Sequence, residues 1–541
     1  MFKAEQFSCL EKIFASEGGK YPCERGCMFE NERYSFQAAF YSRWILKRGC
    51  RVRIDSGLKD RISVRIVDYA GGTYNLPAGH DCGYLLQAGS VTCYPDILKP
   101  FTPSGLSLRP GLWTCVWITV DGGAAGEHKI GVALEDENGQ ELCRCEHTLK
   151  IVGVRLPECD IPVTQWIHAD CICAYHRVQP FTDEFYGIFG KYLDTYVRHS
   201  GNMLNTPPGE ERMTVQTVDV SKTEGGYAFG FGKLERYIDF AQARGIRYFE
   251  LSHLATQWGA EFCPKIVARE GGEERRIFGW DTPSSGAEYQ TFLSGFLPAL
   301  DKFLRGKGIA DKCFVHLSDE PRREHYPAYA ALSEQVRRYL PGYPIVDAMS
   351  EAEFCRSGAA DIPAVALSGY EEFIRRASPV KKWVYYCMGE TFGYFSNRFF
   401  DMPLQRLRVL GIQLWLNGCC GFLHWGFNFY FDYNSRFLLD PYHRTDAGGA
   451  YPSGDSFIVY PDYPSPQGDV VDSVRLEVFD EAIADYRCLK LLEQKRGREF
   501  VRRLLGRNGY DGFSVYPTDG EAFLRFREEI VALTEESAEN E

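Results

Sequence analysis

The chain contains no run of eighteen or more apolar residues, so no membrane-spanning helix is expected. Its opening, Met1-Phe2-Lys3-Ala4-Glu5-Gln6, has neither the apolar core nor the small-residue cleavage site of a signal peptide. Basic residues are in deficit, 61 against 73 acidic, and the net charge of −12 argues against sequence-independent binding to nucleic acid or to an anionic membrane. No GxGxxG follows a strand near its start, and there is no serine nucleophile elbow, HExxH or P-loop. The 19 cysteines never form a CxxC followed by a second CxxC or by HxxxH, so neither a structural zinc site nor any other cofactor is expected. They are odd in number and scattered from Cys9 to Cys488, as expected of small buried thiols in a reducing cytoplasm.

What is present is ample material for a core. Of the 541 residues, 45% are hydrophobic, which excludes global disorder and, with that length, allows several domains. Up to about residue 155 the pattern has the period of half-buried strands: Val52 and Ile54, then Ile62, Val64 and Ile66, alternate with polar residues. Trp113 to Val120 is apolar at both alternating sets, so that strand is expected to bury both faces. Asn138-Gly139 marks a hairpin turn. An N-terminal β-sandwich is expected over residues 1–157, as a packing partner in preference to a sugar-binding module.

From about residue 160 strand and helix alternate. Eight candidate strands run through 165–169, 202–205, 248–252, 314–317, 345–348, 364–367, 383–386 and 422–425. The helices between them include Glu288–Arg305, with Tyr289, Phe292, Leu293, Phe296, Leu297, Leu300 and Phe303 at helical spacing. The expected class is α/β: a (β/α)8 TIM-like barrel over residues 158–495 behind the sandwich, then a helical extension over 496–541 packed on the barrel. A doubly wound open sheet is the alternative. Residues 474–492 read as a helix, and 535–541 as a frayed end.

Active sites of such barrels lie at the C-terminal strand ends. Those ends carry His168 and Asp170, Asn205, His253, Asp319 and Glu320, Asp347, Tyr385 and Tyr386, then Trp425 and Asn428. Rings beside acids and amides suit a sugar: the ring stacks on its apolar face and the polar groups bond its hydroxyls. The sharpest feature is Cys313-Phe314-Val315-His316-Leu317-Ser318-Asp319-Glu320-Pro321, an apolar strand ending in two carboxylates and a proline. It reads either as a helix start, with Asp319 as N-cap, or as a catalytic pair. Neighbouring carboxylates separate their pKa values, so one can stay an acid while the other stays charged. Adjacent strand residues point to opposite faces, so a working pair requires the chain to turn there. Such a pair straddles an anomeric carbon awkwardly. It better serves substrate assistance, in which the sugar's own 2-acetamido oxygen attacks C1.

The Asp319-Glu320-Pro321 strand resembles the catalytic motif of glycoside hydrolase family 123 and the wider group sharing its catalytic domain. Five further stretches are similar to that family in the same order: Glu32–Gln37, Tyr248–His253 with Thr256–Ala260, Phe278–Thr282, Gly421–Asn428, and Ser473–Glu477 with Ala484–Tyr486. The resemblance implies a retaining, exo-acting β-N-acetylgalactosaminidase. Asp319 would orient the acetamido group and Glu320 would be the general acid/base. The expected partner is a small N-acetylgalactosaminide, such as a short imported oligosaccharide, with assembly as a homo-oligomer left open.

The remaining substrate-binding candidates are His168, Asp170, Asn205, His253, Trp258, Trp280, Tyr386, Trp425 and Asn428. Trp425 is the candidate pocket floor, and Tyr386 a partner for the acetamido oxygen. Which of Tyr385 and Tyr386 faces the pocket is open at this point. Asp432, Tyr433 and Asp455 read as solvated loop residues. Three rivals stand: a glycosidase using Asp170 or Asp347 as its own nucleophile, a metal-dependent hydrolase using His168, Asp170 and His253, and a non-catalytic sugar-binding protein.

Overall fold

The computed structural model describes residues 2–72, 80–81, 92–102, 104–206, 216–256, 259–379, 381–462 and 468–539. Two antiparallel-rich sheets form the N-terminal part. One contains β1 (Phe2–Ser8), β3 (Arg33–Ser42), β5 (Ile62–Gly72), β6 (Thr92–Pro100) and β8 (Trp113–Asp121), ordered β1-β3-β8-β5-β6. The other contains β2 (Arg25–Phe29), β4 (Lys47–Asp55), β7 (Leu106–Leu108), β9 (Gly126–Glu135) and β10 (Glu141–Val152), ordered β2-β10-β9-β4-β7. Strand alternation explains how the first sheet works on both sides. Val116, Ile118 and Val120 of β8 enter the core between the sheets, while Cys115 and Trp117 enter the larger core shared with the barrel.

Eight short parallel strands follow: β11 (Val163–Gln165), β12 (Met203–Asn205), β15 (Tyr248–Leu251), β18 (Cys313–Val315), β19 (Val346–Ala348), β20 (Ile362–Ala366), β21 (Trp383–Tyr385) and β22 (Phe422–His424). All eight expected strands form, displaced by a few residues at most. Ladders join β12-β15-β18 and β11-β22-β21-β20-β19, and a parallel bridge between Val315 and Ile345 joins the two sets. At the β11–β12 seam side chains replace the ladder: Asn202 Oδ1 accepts from Val163 N at 2.8 Å, and Asn205 Oδ1 from Ile167 N at 3.0 Å. The interior is packed with Trp166, Met203, Val346, Ala348, Ile362, Ala364, Trp383 and Leu423, so the barrel is a core with a mouth, not a pore.

Helices α1 (Ala169–His176), α2 (Asp183–Arg198), α3 (Gly232–Gln242), α4 (Ala287–Gly306), α5 (Tyr326–Tyr339), α6 (Glu353–Arg356), α7 (Tyr370–Ala377), α8 (Leu404–Arg408), α9 (Leu410–Leu416) and α10 (Val474–Arg496) complete this part. Two hairpins, β13 (Asp219–Thr223) with β14 (Gly226–Gly230) and β16 (Ile266–Glu270) with β17 (Glu273–Phe278), form an inserted four-stranded sheet that the sequence pattern did not show. Helices α11 (Arg498–Arg507) and α12 (Gly520–Glu539) end the chain. The expected frayed end is instead helical through Glu539, and Glu535 pairs with Lys150 at 2.5 Å.

Helix α10 is buried nearly all round, because the first sheet covers the side that the barrel leaves free. Its charged residues survive burial by pairing across that seam. Arg475 meets Asp96 at 2.8 Å, Glu477 meets Arg33 at 3.0 Å and Arg65 at 2.8 Å, and Glu481 accepts from Ser35 N at 3.0 Å.

Candidate active site

Strand β18 delivers the paired carboxylates. After Val315 the chain leaves the ladder, yet it stays tied on both sides. Leu317 N donates to Asp347 Oδ1 at 3.1 Å, Ser318 Oγ to Thr256 O at 2.7 Å, and Glu320 N to Ala348 O at 3.0 Å. Glu320 has φ 44°, in the left-handed region that costs a residue with a Cβ about 1–2 kcal/mol. This is the turn that a working pair requires, and strain retained at such a position is typical of functional sites. The helix-start reading is not what forms: a 3-10 turn, Arg323–His325, intervenes before α5 at Tyr326.

Tyr385, from the end of β21, donates its hydroxyl to Glu320 Oε1 at 2.5 Å. Alternation then turns Tyr386 outward. It is fully buried against Phe422 and His424, so it is a core residue and not a ligand for the acetamido oxygen. In the loop after β21, Glu390 is buried and accepts from Ser368 Oγ at 2.7 Å and Cys387 N at 2.9 Å. Burial raises its pKa, and the charge of Glu320 adds to the rise.

Trp425, at the end of β22, is half-buried and forms one wall with Tyr451, at 5.4 Å between ring centroids, and Tyr433 beyond it. Its Nε1 donates to Asp455 Oδ2 at 3.2 Å. Asp455 is completely buried, which corrects its reading as a solvated loop residue. Burial pushes its pKa up to about 7 although Arg398 and the Trp425 bond pull it down. The other two loop residues fit that reading better: Tyr433 is 48% exposed and Asp432 half-buried.

Several candidates have structural duties. Asn428 is fully buried and clasps the His168 backbone, accepting from its N at 2.8 Å and donating to its O at 3.1 Å, so its amide is not offered to a sugar. Asn205 is buried with its oxygen committed to Ile167 N. His168 is at the N-cap of α1, its Nε2 on Trp425 O at 2.8 Å and its ring edge-on to Trp425 and Phe429, so it supports the tryptophan. Asp170 Oδ1 accepts from Cys171 N at 2.8 Å in the first turn of α1, and burial pushes its pKa up to about 6. Trp280 is 43% exposed just after β17, with no ring partner among the described residues. Trp258 lies outside the described residues.

His253 follows β15, its ring edge-on to Trp166 and tilted against His316. Burial, with His316 beside it, lowers its pKa to about 3. It also borders an apolar cavity lined by Leu251, Leu254, Tyr289, Phe292 and Leu293. The trio His168, Asp170 and His253 is not brought together. Metal-ligand spacing among the described residues occurs instead at His253, His316 and Asp347, and at His199, Asp472 and Glu477. In each group one histidine already pairs with a carboxylate, His316 Nδ1 with Asp347 at 3.1 Å and His199 Nε2 with Glu477 at 3.0 Å. Asp347 is fully buried, and Tyr329 OH at 2.6 Å, Leu317 N and His316 occupy its oxygens, so it is no free nucleophile.

The mouth therefore gathers Asp319, Glu320, Tyr385, Glu390, Trp425, Tyr451 and Asp455. Glu390, Tyr451 and Asp455 were not among the candidates. Glu390 was within reach, since it lies five residues past a barrel strand, where functional loops sit. A carboxylate whose oxygen receives a phenol hydrogen bond, beside a second one at a strained turn and facing an aromatic wall, can protonate a leaving oxygen and stabilise developing positive charge.

The full chain superposes on a family 123 glycoside hydrolase from Clostridium perfringens, described as revealing details of glycolipid glycan hydrolysis, with a TM-score of 0.75 and 13% identity over 100% of this chain and 98% of that one. A β-glucuronidase from Parabacteroides merdae is far less similar, with a TM-score of 0.34 and 9% identity over 89% and 52%. A glycosyl hydrolase family 2 member from Bacteroides cellulosilyticus gives 0.30 and 10% over 86% and 53%. No curated protein matches. Residues 166–492, which hold the eight strand ends and the paired carboxylates, match the glycoside hydrolase 123 catalytic domain, and the chain belongs to glycoside hydrolase family 123.

Proposed function

We propose that this glycoside hydrolase is an exo-acting, retaining β-N-acetylgalactosaminidase that works by substrate assistance. The observation carrying this reading is the adjacent pair Asp319 and Glu320 at the left-handed end of β18, with Tyr385 on Glu320. Asp319 accepts the acetamido N–H, so the acetamido oxygen attacks C1 as the bond from C1 to the leaving oxygen breaks. Glu320 gives its proton to that oxygen. Water then attacks C1 and passes a proton back to Glu320 as the oxazoline opens, restoring the β-configuration. Tyr385 fixes the Glu320 carboxyl, and Trp425, propped by His168 and Asp455, floors the sugar. Every described cysteine is a free thiol, which supports a reducing compartment, so we place the enzyme in the cytoplasm acting on short glycosides.

A panel of 4-nitrophenyl glycosides with and without the 2-acetamido group tests this, with proton NMR reading the first-formed anomer. Cleavage confined to 2-acetamido β-glycosides, with galacto preferred and the β-anomer first, is expected. Comparable turnover of 2-hydroxyl sugars, or an α-anomer first, would reject it.

A further inference from the structure

We propose that His316 is a positioning residue for the Asp319–Glu320 pair, acting as a buried imidazolium that ties three adjacent barrel strands together beneath the mouth; this rests on the reading of that pair as catalytic. His316 faces the barrel interior three residues before Asp319 and is 2% exposed. Its Nδ1 is 3.1 Å from Asp347 Oδ1 on β19, and its Nε2 is 3.1 Å from Glu250 Oε2 at β15. Strand β18 lies between those two, so one ring spans three neighbours. A neutral imidazole carries one N–H, and would set a lone pair against one of two buried carboxylates. Only the doubly protonated ring faces both with positive charge.

The surroundings agree. Glu250 Oε2 also accepts from Trp166 Nε1 at 2.7 Å, and Asp347 also holds Leu317 N and Tyr329 OH. Among the described residues the titratable groups against the ring are Glu250, Asp347 and His253, the last at 5.2 Å between centroids and neutral, while Tyr329 OH bonds Asp347. Burial alone would push the pKa of His316 down, but the Asp347 hydrogen bond and the charges of Asp347 and Glu250 hold it up at about 10. Asp347 is the link to the mouth. The carboxylate that accepts from His316 Nδ1 also anchors Leu317 N, and the next residue on its strand, Ala348, anchors Glu320 N. Loss of the charge leaves two carboxylates facing each other under that anchor and loosens the turn at Glu320.

Two variants and one spectrum test this in the full-length enzyme. Histidine-selective 15N NMR, with His316→Asn as the assignment control, should show both His316 nitrogens protonated at neutral pH. His316→Asn should lower kcat on the order of 10²-fold, as misplacement of reacting groups does, with KM changed less than roughly threefold. Glu250→Gln keeps the shape and removes one charge. It should lower the pH at which both the His316 signal and kcat fall by about one unit or more. Should His316→Asn fail to fold, the histidine signal that Glu250→Gln shifts supplies the assignment, and the spectrum and that variant still decide. A neutral His316 at pH 7, a folded His316→Asn with unchanged kcat, an unmoved alkaline limb in Glu250→Gln, or a stoichiometric transition metal on His316 and His253 would overturn the proposal. Because kcat is read on whichever glycoside the enzyme turns over, failure of the galactosaminide reading is separate: it would show in the substrate panel and leave the His316 spectrum unaltered.

Discussion

The seam between sandwich and barrel and the mouth of the barrel both bury carboxylates, in opposite company. At the seam, Glu477 faces Arg33, Arg65 and His199, and Arg408 meets both Glu481 and Asp485. Burial pushes Glu477 up, but those cations overcome it and hold its carboxyl well below the usual range. At the mouth, Glu320 and Glu390 have hydroxyl and backbone partners and no ion pair among the described residues. Burial keeps Glu390 and Asp455 raised. A carboxylate ringed by several cations, as Glu477 is, stays charged and serves architecture, whereas Glu481, with the single Arg408 guanidinium, is still pushed up to about 7 by burial. Glu390, held by serine and backbone, and Asp455, held by indole, are raised by burial and can change state, which chemistry demands.

The comparison breaks first at Glu320. Glu320→Gln should retain the melting temperature but lose proton donation, about 10²–10⁴-fold in kcat on a poor leaving group and much less on a good one. Equal losses on both would remove it from the acid role. The seam should respond the other way. Arg408→Met leaves Glu481 buried without its cation and Asp485 with Arg527 alone, and should cost about 3–5 kcal/mol in a denaturant titration, with kcat of the folded fraction unchanged. The smallest effect sharpens the contrast. Asp455 has a raised folded pKa, so the native state holds a proton that the unfolded chain has lost between pH about 4 and about 7, and its burial lowers stability as pH rises through that window. Asp455→Asn should flatten the fall of melting temperature over this range, and an unchanged slope would show that Asp455 is not the group responsible.

The barrel was legible because buried parallel strands read as short, mostly apolar runs, and some end abruptly in polar residues, as Cys313–Leu317 does before Ser318 and Asp319. The paired carboxylates were legible because a strand rarely ends in two acids and a proline. What escaped depends on register and return paths. Tyr385 and Tyr386 are equal in sequence, and only the strand's phase sends one inward. Asn205 and Asn428 sit where ligands would, yet both satisfy backbone that follows β11, Asn205 at Ile167 N and Asn428 at His168. Asp455 lies in a turn-rich loop that folds back beneath Trp425, near Arg398. Glu250, His316 and Asp347 come from three strands, and no spacing along the chain reveals that they meet.

The central claim is that a charged Asp319 at this strand end assists the substrate's own acetamido group. The most direct test is the inhibition constant of a galacto-configured thiazoline, an oxazoline mimic, on the wild type and on Asp319→Asn. Loss of a preorganised electrostatic partner should weaken inhibition on the order of 10²-fold, in step with kcat and with little change in KM. Equal inhibition of both proteins would contradict the account and return the search to an enzymic nucleophile.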